Sequence, residues 1–357
     1  MRIPAIIIFF LPGISVYAQL PSLQELKSKL PLINCTSVKD QYLSSTCWSF
    51  SSNSFLESEL IRQGKKAPDL SEMFSSRYCT IKKIKTHLKL KGANYFTPGG
   101  QFHDVMWVVK NYGMVPESVY SGKGRGEYFH NHGELDTLLS GFVKACVQYN
   151  ITTVSADQLP GIDSMLDFYL GPVPKTFVYE GKTYTPKTFA NDYLGINPDD
   201  YLEITSYTHH PFYKPFVLED KYNWSGDEYY NVTLNDFSNI TDSALAHGYT
   251  VIWVGDAEDP YFKWLDGMAW LPDSIHDDQS ARQKAFEDHS TEMDHMMHIL
   301  AVVKDHYGKK WYYIKNSWGD YSNALGGFMF MREDYFRMRT EVIVVNKKAI
   351  PAAIPLE

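Results

Sequence analysis

Apolar positions along the chain change period from helical to strand-like. Leu23 to Leu30 forms a short amphipathic piece. A stronger helix is predicted from Cys47, where Ser44-Ser45-Thr46 supplies N-cap residue types, Leu56 and Leu60 stack at i,i+4, and Gly64 marks the stop. Another helix is expected over Phe102 to Tyr112, with Val105, Val108, Val109 and Tyr112 on one face before Gly113. Residues 121–240 are rich in Gly, Pro, Asn, Asp and Tyr, with weak periodicity that predicts little regular structure. Beyond residue 245 short β-rich runs follow: Tyr249 to Val254, Ile299 to Val303, Trp311 to Lys315 and Phe328 to Met331. Helices first and strands later describe a two-lobed α+β protein without internal repeats.

The amino terminus stands apart. Met1-Arg2, the apolar run Ile3 to Ile14, and Val16-Tyr17-Ala18 read as a signal peptide cut after Ala18, which predicts a secreted or periplasmic protein. The alternatives are a buried first strand and a cytoplasmic location. No later stretch approaches the roughly 18 apolar residues that span a bilayer. A net charge of -8 over 357 residues argues against nucleic acid as the main partner. Aromatic residues at 15% favour an irregular, aromatic-rich core over a helical bundle. Four cysteines allow at most two disulfides, so the fold must rest on its core. Cys35, Cys79 and Cys146 are expected to be inert, with their pairing open. Sequons begin at Asn34, Asn150, Asn223, Asn231 and Asn239.

The chemistry concentrates in three places. Cys47 falls in the first turn of its predicted helix, where the macrodipole favours thiolate and free backbone N–H groups could hold an oxyanion. Gln41, six residues earlier, could fold back as a second oxyanion donor. A thiolate needs a base and the base an orienter; these lie in Asp294-His295-Met296-Met297-His298 and Lys315-Asn316-Ser317-Trp318-Gly319. On a strand, His295, Met297 and Ile299 share one face, and Met296, His298 and Leu300 the other. Only one histidine then reaches a cleft. Asn316 could accept from the imidazole, and Trp318 could shield that bond. A zinc site on His289, His295 and His298 would need this segment to be helical, so no metal or cofactor is expected.

Gln41, Cys47-Trp48-Ser49-Phe50, Asp294-His295 and Asn316-Ser317-Trp318-Gly319, in this order, resemble the papain-like cysteine peptidases. Leu70-Ser71-Glu72 and Gly99-Gly100 are similar to that family too. The resemblance implies that Gly99 and Gly100 bind substrate backbone in a cleft bordered by Trp318. Ser54 to Arg62, Gly100-Gln101, Thr208 to Tyr213 and Met293 to His298 look like the bleomycin hydrolase and aminopeptidase C branch. That branch implies an aminopeptidase, a hexamer enclosing its sites, and a C-terminal tail whose carboxylate meets the substrate amine. The expected organisation is a peptidase domain over 19–350, with a helical lobe (about 37–120), an insertion (about 121–240) and a β-barrel-like lobe (about 245–346). The tail, 347–357, carries two prolines and leaves open an endopeptidase on the same site. A non-catalytic binder is disfavoured by joint retention of Gln41, Cys47, His295 and Asn316. A transglutaminase-like enzyme is disfavoured by Asn316 where that class has an acid. His209-His210 is expected to be structural, its side chains splaying apart on extended backbone. Phe262, Trp264 and Trp270 are expected to be core, and Asp273 to Asp278 a solvated loop.

Overall fold

The computed structural model describes residues 20–154 and 159–356. The expected signal segment lies outside them. The chain opens with α1 (Leu23–Ser28), α2 (Cys47–Arg62), α3 (Glu72–Lys89), α4 (Phe102–Asn111), α5 (Gly133–Gln148) and α6 (Leu159–Leu170). A small hairpin, β1 (Phe177–Tyr179) and β2 (Lys182–Tyr184), and the single turn α7 (Pro186–Thr188) follow. Then come β3 (Tyr201–Thr205), β4 (Pro215–Val217), β5 (Glu228–Asn231) and α8 (Leu234–Ala246). The last third holds β6 (Val251–Gly255), β7 (Phe262–Lys263), β8 (Met268–Ala269), α9 (Gln279–Glu287), β9 (His295–Lys304), β10 (Lys310–Lys315), β11 (Phe328–Arg332), α10 (Glu333–Arg339) and β12 (Thr340–Asn346).

Ten strands form one mixed sheet in the order β4-β5-β3-β12-β6-β9-β10-β11-β8-β7. It is open, not the barrel-like closure expected, because β4 and β7 end the order without pairing to each other. The segment expected to lack regular structure supplies β3, β4 and β5 to this sheet, besides α5 and α6.

Strand alternation divides the core in two. On β12, Val342 and Val344 join the helical-lobe cluster, while Ile343 and Val345 join a cluster on the opposite face with Phe237 and Phe336. Helix α2 packs on β9 and is buried nearly all round. Small hydroxyl side chains permit this close seating: Ser51 donates to Met296 O (2.7 Å) and Ser49 to Glu72 O (2.8 Å). Satisfying most of the buried hydroxyls makes a serine-rich core helix tolerable, Ser58 Oγ on α2 being the exception.

The tail docks on the face away from α2. Ile354 packs in the cluster with Tyr230 and Phe237, and Tyr230 Oη donates to Pro355 O (2.7 Å). None of the four cysteines is bridged. The Asn231 amide is buried and donates to Tyr207 O (2.8 Å) and His210 O (3.0 Å), which closes that sequon. Among the described residues no helix is long and apolar enough to cross a membrane.

Candidate active site

Cys47 is the first residue of α2, reached through a tight approach in which Ser45 takes φ 53°. Thr46 stands at the N-cap without a side-chain cap bond, so no hydroxyl occupies the first-turn N–H groups on that account. The thiol shares a pocket with Gln41, Gly99, Gly100, His295 and Trp318.

His295 opens β9, paired with Gly255 at the end of β6. Its Nε2 lies 2.7 Å from Asn316 Oδ1. That same oxygen accepts from Ser317 N (2.8 Å), a group that only donates, so it is fixed as the amide oxygen. His295 Nε2 therefore carries the proton, and Nδ1 is left as the basic nitrogen. The Trp318 ring packs against the imidazole, with 4.6 Å between centroids and the planes at 31°.

Gln41 is joined to the same segment. Its backbone N donates to Ser317 O (2.8 Å), and its Oε1 accepts from Ser317 Oγ (2.7 Å). The amide NH2 is the end left for an incoming oxygen. Gly100 runs against the nucleophile's neighbour: a Cβ there would sit 2.9 Å from two Trp48 ring atoms. Lys83 steadies this stretch by donating to Thr97 O (3.0 Å) and Pro98 O (3.1 Å).

The structure thus gathers every residue expected at the site. It places His298 elsewhere: fully buried, with Nδ1 2.8 Å from Ser54 Oγ on α2. The alternation between these histidines follows from β9 being a strand, which also removes the zinc reading. His209 and His210 do not splay as expected; both converge on Glu219, at 3.1 and 2.6 Å. The turn at positive-φ Tyr213 and the following β4 bring Glu219 back beneath them. Among the described residues these three could hold a cation. Gln283 opposes that: its Oε1 accepts from Thr208 N, so its NH2 points to His209 Nδ1 (2.9 Å) and leaves Nε2 protonated. Phe262 and Trp264 are more than distant core, since both stack edgewise on Trp318, at 6.3 and 5.1 Å.

Sequence reasoning missed Gln101, Tyr222 and Met293, which also line the pocket. Gly100-Gln101 belongs to a motif, but Tyr222 sits in the 121–240 segment, where no periodic signal marks it.

Burial sets the protonation states. It pushes the Cys47 thiol up to about 11, against backbone N–H bonds that lower it. It pushes His295 down to about 4, against the bond to Asn316. His132 is held near 4 by burial, and His130 near 3 by burial with Lys123 and His132 adding to it. These imidazoles take up protons on unfolding below the ordinary 6.5, so their stabilisation is lost as pH falls from 6.5 towards 4. Asp294 and Asp136, raised by burial to about 7 and about 6, act in the opposite sense as pH rises from about 4. Glu72 and Glu117, raised by burial to about 7 and about 8, act with the two aspartates, and His298, held well below its ordinary value by burial, acts with the imidazoles. In thermal melts the midpoint of His132→Leu is expected to fall less, or rise more, than the parent's between pH 6.5 and 4. An equal change in that variant would remove His132 from the account.

A helical lobe seated on an open sheet, with thiol, imidazole and amide meeting between them, is the papain-like arrangement. The chain belongs to the Peptidase C1-like family, whose model matches residues 81–355. Within that family it lies in the aminopeptidase C branch. Aminopeptidase C of Lactobacillus delbrueckii subsp. lactis is 28% identical over 89% of this chain and 81% of its own. Aminopeptidase W of the same organism is 28% identical over 72% of this chain and 65% of its own. The crystal structure of PepW from Lactobacillus rhamnosis superposes with a TM-score of 0.69 at 20% identity, covering 94% of this chain and 86% of that one.

Proposed function

We propose that this protein is a cysteine-type aminopeptidase that cleaves peptides through a thioester acyl-enzyme. The observation that carries the reading is the 2.7 Å bond from His295 to Asn316, in one pocket with a thiol at a helix start. His295 Nδ1 takes the Cys47 proton as the sulfur attacks the carbonyl. Burial disfavours the charged form of each group alone, so transfer is coupled to attack, and the α2 N-terminus offsets the charge on sulfur. Gln41 NH2 and the Cys47 backbone N–H hold the oxyanion. The imidazolium then protonates the leaving amine, and water completes deacylation. Gly99 and Gly100 receive the substrate backbone beside Trp318.

Peptides are the proposed substrates. A homo-oligomer and export past a membrane belong to the proposal through the branch resemblance and the amino-terminal segment. One observation favours a second reading, an endopeptidase: the tail's described residues, up to Leu356, pack on the sheet face away from α2, and none of them lines the pocket. The test is hydrolysis of aminoacyl-coumarylamides, with loss of activity matched to alkylation of Cys47 by iodoacetamide. Full activity after stoichiometric alkylation of Cys47 would sink the reading.

A further inference from the structure

A peptide chain extending past Gly99 advances about 3.3–3.6 Å per residue and needs open cleft ahead of it. Here the way is occupied. The Tyr222 ring lies 3.3 Å from where a Gly99 Cβ would stand, and Tyr95 meets it edge-on at 5.7 Å. The loop carrying Tyr222 is pinned on both sides. Lys221 Nζ pairs with Glu292 Oε2 at 2.6 Å, across to the residue before Met293. Trp224 Nε1 donates to Asp104 Oδ2 (3.0 Å), and the Asn223 amide donates to Asp227 O (2.8 Å). The pocket this leaves measures about 240 Å³, below the roughly 300–1,000 Å³ of ordinary ligand clefts.

We propose that the Tyr222 loop ends the cleft one residue beyond the cleaved bond. This rests on the aminopeptidase reading and names what enforces it. A free amino-terminal residue fits between Cys47 and Tyr222; an acyl cap or a further residue collides with the ring.

The experiment compares a free aminoacyl-coumarylamide with its N-acetyl form and with an N-acetyl-dipeptidyl coumarylamide. The intact protein is expected to cleave the free substrate at least a hundredfold better, by kcat/KM. Tyr222→Ala should raise cleavage of the acetyl-dipeptidyl substrate at least tenfold, and Lys221→Ala, which frees the loop without emptying the site, by a smaller factor. An aminopeptidase whose selectivity survives in Tyr222→Ala and Lys221→Ala, yet collapses on removal of residues 351–357, overturns this inference alone. A protein that cleaves peptides only internally overturns the aminopeptidase reading and this inference with it.

Discussion

His295→Ala is expected to lower kcat/KM by about four orders of magnitude, and Cys47→Ala at least as far, while His298→Ala retains most of the activity. The magnitude follows from how nucleophile and base act as one unit: removing either costs nearly what removing both does. His295 is the imidazole that shares the pocket with the thiol and is fixed in one tautomer by Asn316 and Ser317. His298 is buried against Ser54 and Phe55, so its loss is felt through packing and stability. Double replacement of Cys47 and His295 should cost little more than either alone. Steady-state kinetics on a coumarylamide, with circular dichroism to verify folding, decide the matter. A His298→Ala protein that folds but has lost a thousandfold, beside an active His295→Ala, would reverse the assignment.

Lys39→Met is expected to destabilise the protein by about 3–5 kcal/mol, the cost of removing one partner from a buried ion pair. Lys39 Nζ lies 2.6 Å from Glu72 and contacts Asp69, with Glu57 at 4.0 Å. Glu57 and Glu72 are almost fully buried. Burial alone would lower the ammonium's pKa, yet the three carboxylates outweigh it and raise it. Lys315, the other cation lining the cavity that holds this cluster, is already donating to Thr36 O and Ser54 Oγ, both at 2.9 Å. The loss reaches the site as well, since Lys39, Glu57 and Glu72 line a small cavity directly behind Asn316 and Ser317. Urea denaturation followed by tryptophan fluorescence measures the shift. Lys39→Met with Glu72→Leu should recover part of it, because one stranded carboxylate is gone. A single variant within 1 kcal/mol of the parent would show that the cluster is not electrostatically held.

Much of the site is legible in the sequence, because the signals that mark it are local. Cap-type residues ahead of a helical stripe place Cys47, and strand alternation separates His295 from His298. The predicted strands agree with β6, β9, β10 and β11 to within a few residues, although β9 begins as early as His295 itself. The central β12 escapes that reading, although Val342 to Val345 is a continuous apolar run of the kind that sits buried on both faces. In α5 the stripe Leu135, Leu139, Val143 and Cys146 is hidden among turn residues. The remainder is long-range: both histidine rings after Thr208 turn onto Glu219, and Tyr222 lies against Gly99. Such meetings depend on where β3, β4 and β5 join the sheet, which no local period encodes.

The serine-filled burial of α2 constrains how this enzyme can change. Ser49, Ser51, Ser52 and Ser54 sit where larger side chains would push the helix off the sheet, and that helix carries the nucleophile at its end. New substrate preferences therefore have little room to arise there. The loop around Tyr222 joins the body through buried Trp224 and a few polar bonds, and its exposed positions can change without moving Cys47. Natural variation in cleavage length should accumulate in that loop, on a catalytic frame too tightly filled to follow it.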